Sequence, residues 1–447
     1  MFRSLMTIQF FMKLLKLHKS LKIFTKLSFA LFLLGLLAIA SSIGSFIEQD
    51  EPISFYEQNY ANPIYGFIDK NFIFTFGLDH VYRTWWFLNL LVFLAISLIS
   101  CTISRQFPLL INSKDYFFKK RKNSLVSLPF SVKLKNIYYL KETILLKIQS
   151  MNFYIYQQGN LIYGYKGLIG RISPILVHFS LLIILGGASI GAFKNFKVQE
   201  ILPKGEIFHL QNPINVGWLT SFPTVSTRVN DFWVEYENNR IHQFYSNLSL
   251  LDNYGNEIKQ QTISVNNPLR YQDIDFYQSD WNLLGIRMQN TQEKKVYEFP
   301  VFSLNKKSKS WVTWIGTEKG TKILVFDQLQ NNFLLYDEKG NFLEIKNIND
   351  EIGSNLKIID LLPSTGLLIK YDPSIQLIYF GFGLLMITSC LSYLPYNQMW
   401  IVNKKKNSWI GCSTNRGKIQ LEIEFENFIR SLENTLTKTI FLQSNKN

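Results

Sequence analysis

Four long apolar runs stand out in the pattern of hydrophobic and polar positions along this chain. They cover residues 26–46, 85–104, 172–193 and 374–394. Each has about 20 residues, the length that a helix needs to cross ~30 Å of hydrocarbon. None contains Asp, Glu or Arg, and Lys26, at one edge, is the only lysine. The pattern predicts four transmembrane helices rather than long helices buried in a large soluble core.

The first run has the properties of a permanent anchor. It starts too late and is too long for a cleaved signal peptide, and no convincing small-residue cleavage site follows it. Before it, lysines at 13, 16, 19, 22 and 26 fall within one half of a helix, and Phe and Leu occupy much of the rest. This spacing predicts an amphipathic helix lying on an anionic leaflet.

Between the third and fourth runs the period of the pattern changes from helical to alternating. The stretch "RVNDFWVEYENNRIHQFYSNLSLLDNYGNEIKQQTISV" alternates apolar and polar residues around the turn "DNYGNE". A second stretch, "KILVFDQLQNNFLLYDEKGNFLEIKN", repeats this form around "DEKGN". Short strands separated by such turns predict a large β-rich domain, either a sandwich or an open barrel.

Charge fixes the predicted orientation of the runs. The net charge of the chain is +14, and the segments around the runs sum in chain order to +6, −4, +10, −2 and +4. The positive-inside rule then places both termini and the 105–171 segment on the cytoplasmic or stromal face. The basic balance is therefore mostly a matter of membrane topology, and nucleic-acid binding is a poor explanation for it.

The predicted organisation has nine parts. They are a basic stromal amphipathic segment (1–25), a first span (26–46), a short lumenal loop (47–84), a second span (85–104), a basic stromal domain of strand and helix pieces (105–171), a third span (172–193), a lumenal β-rich domain (194–373), a fourth span (374–394) and a stromal tail (395–447).

The sequence lacks the motifs of common enzyme classes. It has no Gly-rich phosphate loop, no nucleophile elbow, no HExxH and no Cys/His zinc spacing. Its three cysteines are Cys101, Cys390 and Cys412, none of which falls in the predicted lumenal domain. That domain therefore cannot form a disulfide or carry out thiol exchange by itself.

His178 is the most informative of the five histidines. It lies in the third run, seven residues after Arg171, and so about 10 Å inside the membrane at ~1.5 Å per residue. Ionisable residues inside spans tend to be functional, and imidazole is a common haem-iron ligand. The alternative is an interhelical hydrogen bond, for example to a Ser or Thr of another span. The sequence leaves both interpretations open.

The stretch "DHVYRTWW", residues 79–86, opens the second run at the predicted far-side interface. Trp85 and Trp86 fit an interfacial aromatic belt, Arg83 can reach the headgroups, and Asp79 can pair with a neighbour. This account explains the tryptophans but does not require His80.

These pieces resemble the ResB/CcsB family of system II cytochrome c biogenesis proteins, in its cyanobacterial and plastid form. The matching pieces are "GSFIEQDEP", "FGLDHVYRTWWF", "SCTISRQFP", "GRISPILVHFSLLIILGGASIGAF" and "YFGFGLLMITSCLSYLPYNQMW", which cover nearly the whole chain in order. His178 matches the membrane histidine of the family. Other members carry a histidine where this chain has Arg83, whereas here His80 precedes that position by three residues.

The resemblance implies a haem-handling function in a plastid thylakoid membrane or, alternatively, in a cyanobacterial thylakoid or plasma membrane. The family works with a CcsA/ResC-like membrane protein, and together they deliver reduced haem to apocytochrome f and soluble c-type apocytochromes. A transiently held haem b, shared with that partner, would be met here by His178, with His80, Arg83, Trp85 and Trp86 as further binding candidates. The chain would be a non-catalytic or co-catalytic subunit of a haem lyase complex.

Two other functions remain open on the residues alone. The chain could be a membrane-anchored scaffold of the synthase that binds no haem, with His178 making only an interhelical hydrogen bond. A small-solute transporter is weakly supported, since four spans without internal repeats or broken helices are few for a transporter core.

Overall fold

The fold comes from a computed structural model that divides the chain into two compact units. The helical unit comprises residues up to 46, residues 81–189 and residues from 375 onward, and the β-rich unit comprises 47–80 and 190–374. The structure describes residues 21–63, 68–114, 117–135, 140–210, 213–237, 240–305, 308–317, 320–327, 329, 332–353, 355–404 and 407–444. Most of the amphipathic segment predicted at 1–25 lies outside these residues.

The helices and strands follow the periodicities of the sequence. The α-helices are α1 Leu21–Phe24, α2 Leu27–Phe46, α3 Ile53–Asn59, α4 Lys70–Phe76, α5 Trp85–Cys101, α6 Phe107–Lys114, α7 Asn123–Val126, α8 Lys141–Ser150, α9 Ile169–Lys194, α10 Ile375–Leu391 and α11 Lys418–Ser444. A 3₁₀ helix, Leu78–Arg83, precedes α5, and a π-helix, Thr102–Gln106, joins α5 to α6.

The strands are, in chain order, β1 Phe130–Lys135, β2 Tyr154–Gln158, β3 Leu161–Lys166, β4 Phe196–Pro203, β5 Ile207–His209, β6 Pro213–Val216, β7 Ser226–Glu237, β8 Arg240–Leu251, β9 Glu257–Ser264, β10 Leu269–Tyr271, β11 Ile274–Asn290, β12 Val296–Pro300, β13 Phe302–Asn305, β14 Ser308–Thr317, β15 Gly320–Phe326, β16 Asn332–Tyr336, β17 Phe342–Asn347, β18 Glu351–Ile352, β19 Leu356–Tyr371, β20 Asn397–Val402 and β21 Asn407–Thr414.

Among the described residues, three helices are long and apolar enough to cross a membrane. They are Leu27–Phe46, Trp85–Ser113 and Ile169–Lys194. The second is continuous through the π-helix and is longer than the 85–104 run that predicts it. Ile375–Leu391 is also apolar but has 17 residues, which gives it a length of about 26 Å. The structure thus confirms three of the four predicted spans by length and composition, and the fourth stays a prediction.

Helices α9 and α10 pack through reciprocal glycines. A Cβ atom added at Gly187 of α9 would lie 2.7 Å from Cγ1 of Ile378, and one added at Gly381 of α10 would lie 2.7 Å from Cγ1 of Ile184. Each glycine therefore receives an isoleucine of the facing helix. Small residues allow such close approach where lipid provides no hydrophobic force between helices.

Gly381→Leu is therefore expected to loosen the α9–α10 pair. The added side chain would overlap Ile184, and overpacking of this kind typically costs about 1–3 kcal/mol. The expected result is a lower midpoint of thermal unfolding and less monodisperse protein in detergent. Gly383→Leu is the matched control, because nothing lies within 4 Å of a Cβ at Gly383. Equal behaviour of the two variants would contradict the reciprocal packing.

A five-stranded antiparallel sheet completes the helical unit, in the order β1-β21-β20-β3-β2. Strands β21 and β20, both inside the sheet, come from the segment predicted as a stromal tail, and they pair with β1 and β3 from the basic 105–171 segment. Helices α8 and α11 bury one face of the sheet, and Lys166 pairs with Glu424 at 2.6 Å. The two segments that the sequence analysis treats separately therefore form one folded layer.

In its described residues, the β-rich unit contains three sheets that share two hydrophobic cores. A seven-stranded sheet has the path β10-β11-β19-β4-β6, with β12 on β11 and β18 on β19. It shares one core with the four-stranded sheet β5-β7-β8-β9. It shares the other with the five-stranded sheet β13-β14-β15-β16-β17. The long β11–β19 ribbon contributes to both cores, so this layered arrangement is closer to the predicted sandwich than to a barrel.

The two predicted hairpin turns are present and have the same structure. Asp252 accepts hydrogen bonds at Oδ1 from the N–H groups of Tyr254 and Asn256, each at 2.8 Å. Asp337 does the same with Lys339 and Asn341, at 2.9 and 2.8 Å. Hydrogen bonds from the side-chain amides of Asn256 and Asn341, together with these backbone bonds, lower the pKa of Asp252 and Asp337 below the usual value. Such Asx turns explain why "DNYGNE" and "DEKGN" signal reversal of the chain.

Candidate functional site

His178 lies on α9, where its half-buried imidazole is held against the end of the second span helix. Nδ1 of the ring lies 2.8 Å from Oγ1 of Thr102. Nε2 lies 3.1 Å from Nε2 of Gln106. Both partners belong to the π-helix Thr102–Gln106. We call these three residues the histidine clasp.

The hydrogen bonds of the clasp define the tautomer of His178. The Thr102 hydroxyl donates its proton to the carbonyl oxygen of Leu98 at 2.8 Å, so the hydroxyl oxygen accepts from the ring. Nδ1 must then carry the ring proton, and Nε2 keeps its lone pair. The Gln106 amide N–H donates to that lone pair. The result is a neutral imidazole whose Nε2 is the acceptor.

The π-helix explains how one turn supplies both partners. Thr102 and Gln106 are four positions apart, and the wider turn with i→i+5 bonds is an insertion of the kind often found at functional sites. The N–H of Phe107 bonds to the carbonyl oxygen of Thr102, which closes the wide turn. Pro108 follows directly, and its missing N–H removes one bond that a regular helix would need.

Gln106 is only partly satisfied in the clasp. Its Oε1 atom is buried and has no hydrogen-bond partner among the described residues. A buried acceptor without a partner costs about 1–3 kcal/mol. The Gln106 amide, which donates to Nε2 of His178, is therefore held less firmly than the Thr102 hydroxyl, which accepts from Nδ1.

The hydrogen bonds of the clasp would suit an imidazole that binds haem iron. An imidazole that ligates iron uses one lone pair and usually donates its other ring N–H to a neighbouring acceptor, which fixes the ring. His178 has such an acceptor in Thr102, and its Nε2 lone pair is covered only by an amide. No group of three or more His, Cys, Asp or Glu side chains in the described part of the chain could hold a bare metal ion.

Arg83, Trp85 and Trp86 lie at or just before the other end of the second span helix. Trp85 is the first residue of α5 and is 73% exposed, whereas Trp86 is half-buried. Seventeen helical positions separate Trp85 from Thr102, which corresponds to about 26 Å. The structure therefore does not bring the tryptophans to His178. They lie at opposite ends of one helix.

Thr84 sets the start of α5 beside these tryptophans. Its Oγ1 accepts from the N–H of Phe87 at 3.4 Å and donates to the carbonyl oxygen of Val81 at 2.7 Å. Arg83, which ends the preceding 3₁₀ helix, is partly exposed. The cap explains why the chain turns from the 3₁₀ helix into a span at this point.

His80 belongs to the β-rich unit, where Asp79 holds it. Its Nδ1 lies 2.9 Å from Oδ2 of Asp79, as the sequence suggests for this pair. The loop that contains Asp50 is joined to the turn that contains Asp79 and His80, because the N–H of Asp50 donates to the carbonyl oxygen of Asp79 at 2.8 Å. Nearby, burial raises the pKa of Tyr56 to about 12. His80 thus sits in an ordered, acidic loop.

Sequence reasoning missed Thr102 and Gln106. The alternative interpretation of His178 named a Ser or Thr of another span in general terms, and Thr102 fits that description. Gln106 lay just beyond the predicted second span. The signal that could have found it is the stretch "TISRQ" at the end of an apolar helix, which Phe107 alone separates from Pro108.

These features define a class of protein with apolar helices long enough to span a membrane, a large β-rich unit and an imidazole clasped between two helices. The chain belongs to the ResB-like family, whose sequence profile matches residues 27–319.

Three relatives illustrate the similarity. A protein of Thalassiosira pseudonana named "Cytochrome c biogenesis protein Ccs1" is 45% identical over 90% of this chain and 97% of its own length. A protein of Phaeodactylum tricornutum with the same name is 42% identical over 92% and 99%. A protein of Crocosphaera subtropica named "Cytochrome c biogenesis protein CcsB" is 40% identical over 92% and 94%. The predicted family is confirmed.

Proposed function

We propose that this chain works in the biogenesis of c-type cytochromes at the step of haem delivery, as the ResB-like subunit of a synthase complex with a CcsA/ResC-like partner. The names of its relatives support the process. The observation that supports a haem-holding function is the fixed tautomer of His178, whose Nε2 lone pair lies inside the membrane-spanning part of the chain.

The histidine clasp would bind and orient haem, and it would not make or break covalent bonds. Thr102 accepts the Nδ1 proton of His178 and so orients the ring, and Gln106 occupies Nε2 when no ligand is present. A bound haem b would supply the iron that takes this lone pair. Arg83, Trp85, Trp86 and His80 are proposed as a second binding region for haem at the far-side mouth. Apocytochrome f and soluble c-type apocytochromes would be the clients.

The proposed topology has four spans, with both termini in the stroma of a plastid. The charge sums of the segments support this orientation. Algal and cyanobacterial relatives support a thylakoid location, with a cyanobacterial thylakoid or plasma membrane as the alternative. Helix α10 would form the fourth span at about 26 Å, a length that local thinning of the bilayer can accommodate.

A scaffold that binds no haem is the second candidate function. One observation favours it, namely that both ring nitrogens of His178 already have hydrogen-bond partners in the clasp. In that case the clasp would only join α9 to the second span helix, and its loss would weaken the helical unit without changing any cofactor.

Co-expression of the chain with its partner, purification of the complex and a reduced haem spectrum would separate these functions. His178→Ala is expected to lose most of the bound haem and to regain it with added imidazole. Thr102→Val, which removes the acceptor for Nδ1–H, is expected to weaken haem retention about 10-fold, as loss of such an outer partner commonly does. Gln106→Ala should retain haem, because it frees Nε2.

The controls separate ligand loss from misassembly. His209→Ala changes a histidine of the β-rich unit whose Nδ1 lies 2.8 Å from the Ser226 hydroxyl, and it should leave the spectrum unchanged. Co-purification of the partner reports assembly. If His178→Ala keeps the haem spectrum of the unmodified complex while His80→Ala loses it, the mouth histidine is the ligand. If neither changes it, the scaffold is the better description.

A further inference from the structure

An exposed apolar loop in the β-rich unit is attached to the end of a spanning helix. The loop "VGWLTSF" covers residues 216–222. Trp218 is 87% exposed, Leu219 is 67% exposed and Phe222 is 40% exposed. Trp218 and Leu219 are adjacent, whereas the ring of Phe222 also packs on Phe196, with centroids 5.1 Å apart. Large exposed apolar side chains grouped in one short loop mark an interaction surface.

Backbone hydrogen bonds tie this loop to the last turn of α9. The N–H of Leu219 donates to the carbonyl oxygen of Phe193 at 2.8 Å. The N–H of Gly217 donates to the carbonyl oxygen of Asn195 at 2.9 Å. The Thr220 hydroxyl donates to the same Asn195 oxygen at 3.1 Å. The loop therefore has a fixed position beside the helix end.

Gly217 makes this attachment possible. A Cβ atom at this position would lie 2.2 Å from the carbonyl oxygen of Phe193, a separation that no side chain can occupy. The close approach brings the ring of Trp218 to 6.4 Å from that of Phe193. The exposed indole thus lies next to an aromatic residue in the last turn of the helix.

The length of α9 places this helix end at the level of the lipid headgroups. Its 26 residues extend over about 39 Å, whereas the hydrocarbon core is ~30 Å thick. Tryptophan is enriched at this depth because its ring is apolar while its N–H needs a polar partner. Lys194, exposed at the last position of α9, adds a positive charge suited to lipid phosphates.

Two other exposed tryptophans of the β-rich unit are covered differently. Trp314 stacks on Phe302 with ring centroids 5.3 Å apart, and Trp233 stacks on Tyr245 at the same distance. Both belong to strands, where a cross-strand ring shields one face. Trp218 lies in a loop instead and is the most exposed of the three.

We propose that residues 216–222 form an interfacial anchor that inserts Trp218, Leu219 and Phe222 into the lipid surface at the lumenal end of α9. The anchor ties the first strand of the β-rich unit, β4, to the bilayer, because β4 begins two residues after α9 ends. This inference rests on the proposed topology, in which α9 crosses the membrane and ends on the lumenal side, and it is independent of haem binding.

Photo-crosslinking of the full-length chain in phosphatidylcholine nanodiscs would test this anchor. The crosslinking amino acid p-benzoylphenylalanine would replace Trp218 in one protein and Trp314 in the other. Both replacements keep an aromatic ring at an exposed position, so folding should be preserved. The expected result is a lipid adduct at position 218 and background labelling at position 314.

A second arm uses the same two proteins co-expressed with the CcsA/ResC-like partner. The proposal is overturned if position 218 forms a protein adduct and no lipid adduct, since the loop would then be a docking surface for a protein. It is also overturned if positions 218 and 314 label lipid equally. If the protein with p-benzoylphenylalanine at position 218 is not monodisperse, the crosslinking residue is placed at position 219 instead. The proposal then requires a lipid adduct at position 219.

Discussion

Gly170→Ala is expected to destabilise the helical unit strongly. A Cβ atom at Gly170, in the first turn of α9, would lie 2.0 Å from the carbonyl oxygen of Leu394. The obstructing atom belongs to the backbone, so no rotamer change can relieve the overlap. Overpacking in general costs about 1–3 kcal/mol and occasionally more, and a backbone clash belongs at the upper end of that range.

The neighbouring glycine shows that this junction is built for close contact. A Cβ at Gly167 would lie 2.0 Å from the carbonyl oxygen of Pro395, and its φ of +80° also favours glycine. The chain that leaves α10 toward β20 therefore passes directly over the start of α9. Two glycines on one side and two carbonyl groups on the other define this crossing.

Thermal unfolding in detergent would measure the effect of Gly170→Ala. Gly186→Ala is the control, because it lies in the same helix and nothing is within 4 Å of its Cβ. Alanine is the better helix former by about 1 kcal/mol, so the control should be as stable as the unmodified chain or slightly more so. Equal unfolding midpoints for the two variants would show that the crossing is not tight.

Trp311→Ala is expected to destabilise the core that the seven-stranded and five-stranded sheets of the β-rich unit share. Trp311 is 2% exposed, its ring lies 5.2 Å from that of Trp281, and its Nε1–H donates to Oδ1 of Asn282 at 2.7 Å. Truncating a buried tryptophan to alanine costs about 3–5 kcal/mol through lost packing and the cavity left behind. The variant also removes the Trp311 N–H that Asn282 accepts.

Proteolysis across a urea series would report the stability of this unit within the intact chain. Trp314→Ala is the matched control, three positions away on the same strand but 57% exposed. Its expected effect is within about 1 kcal/mol, which is typical of an exposed cross-strand pair. Trp311→Phe, which keeps a ring but loses the N–H donor, should fall between the two. Similar urea midpoints for both alanine variants would contradict the assigned core.

Local chemistry made much of the fold predictable from sequence. The spans follow from apolar runs of sufficient length, and three of them are helices of that length in the structure. The turns at Asp252 and Asp337 follow from side-chain capping of their own backbone. Each of these signals is contained in fewer than about 25 consecutive residues, so it does not depend on the rest of the chain.

Long-range pairing was not predictable in the same way. Strand β20 pairs with β3 through partners such as Trp400 and Tyr163, which are more than 200 positions apart. An alternating pattern says which face of a strand is buried but not which strand lies beside it. The joining of the tail to the 105–171 segment therefore required the structure.

The candidate site was predictable in part. A histidine within an apolar run identified His178, because an imidazole in lipid requires a partner. Its partners depend on a π-helix, and a single extra residue per turn leaves little trace in hydrophobic periodicity. The sequence therefore indicated the residue but not its tautomer, which depends on the Thr102–Leu98 hydrogen bond.

The strand order also has a consequence for how the chain is made. In the five-stranded sheet, β21 and β20 separate β1 from β3, although both are synthesised after β1, β2 and β3. While the ribosome is still producing α10, those earlier strands have open edges and no finished sheet. A nascent chain arrested before Asn397 would expose unpaired strand edges to proteases and chaperones. This sheet can therefore be completed only after synthesis has passed α10.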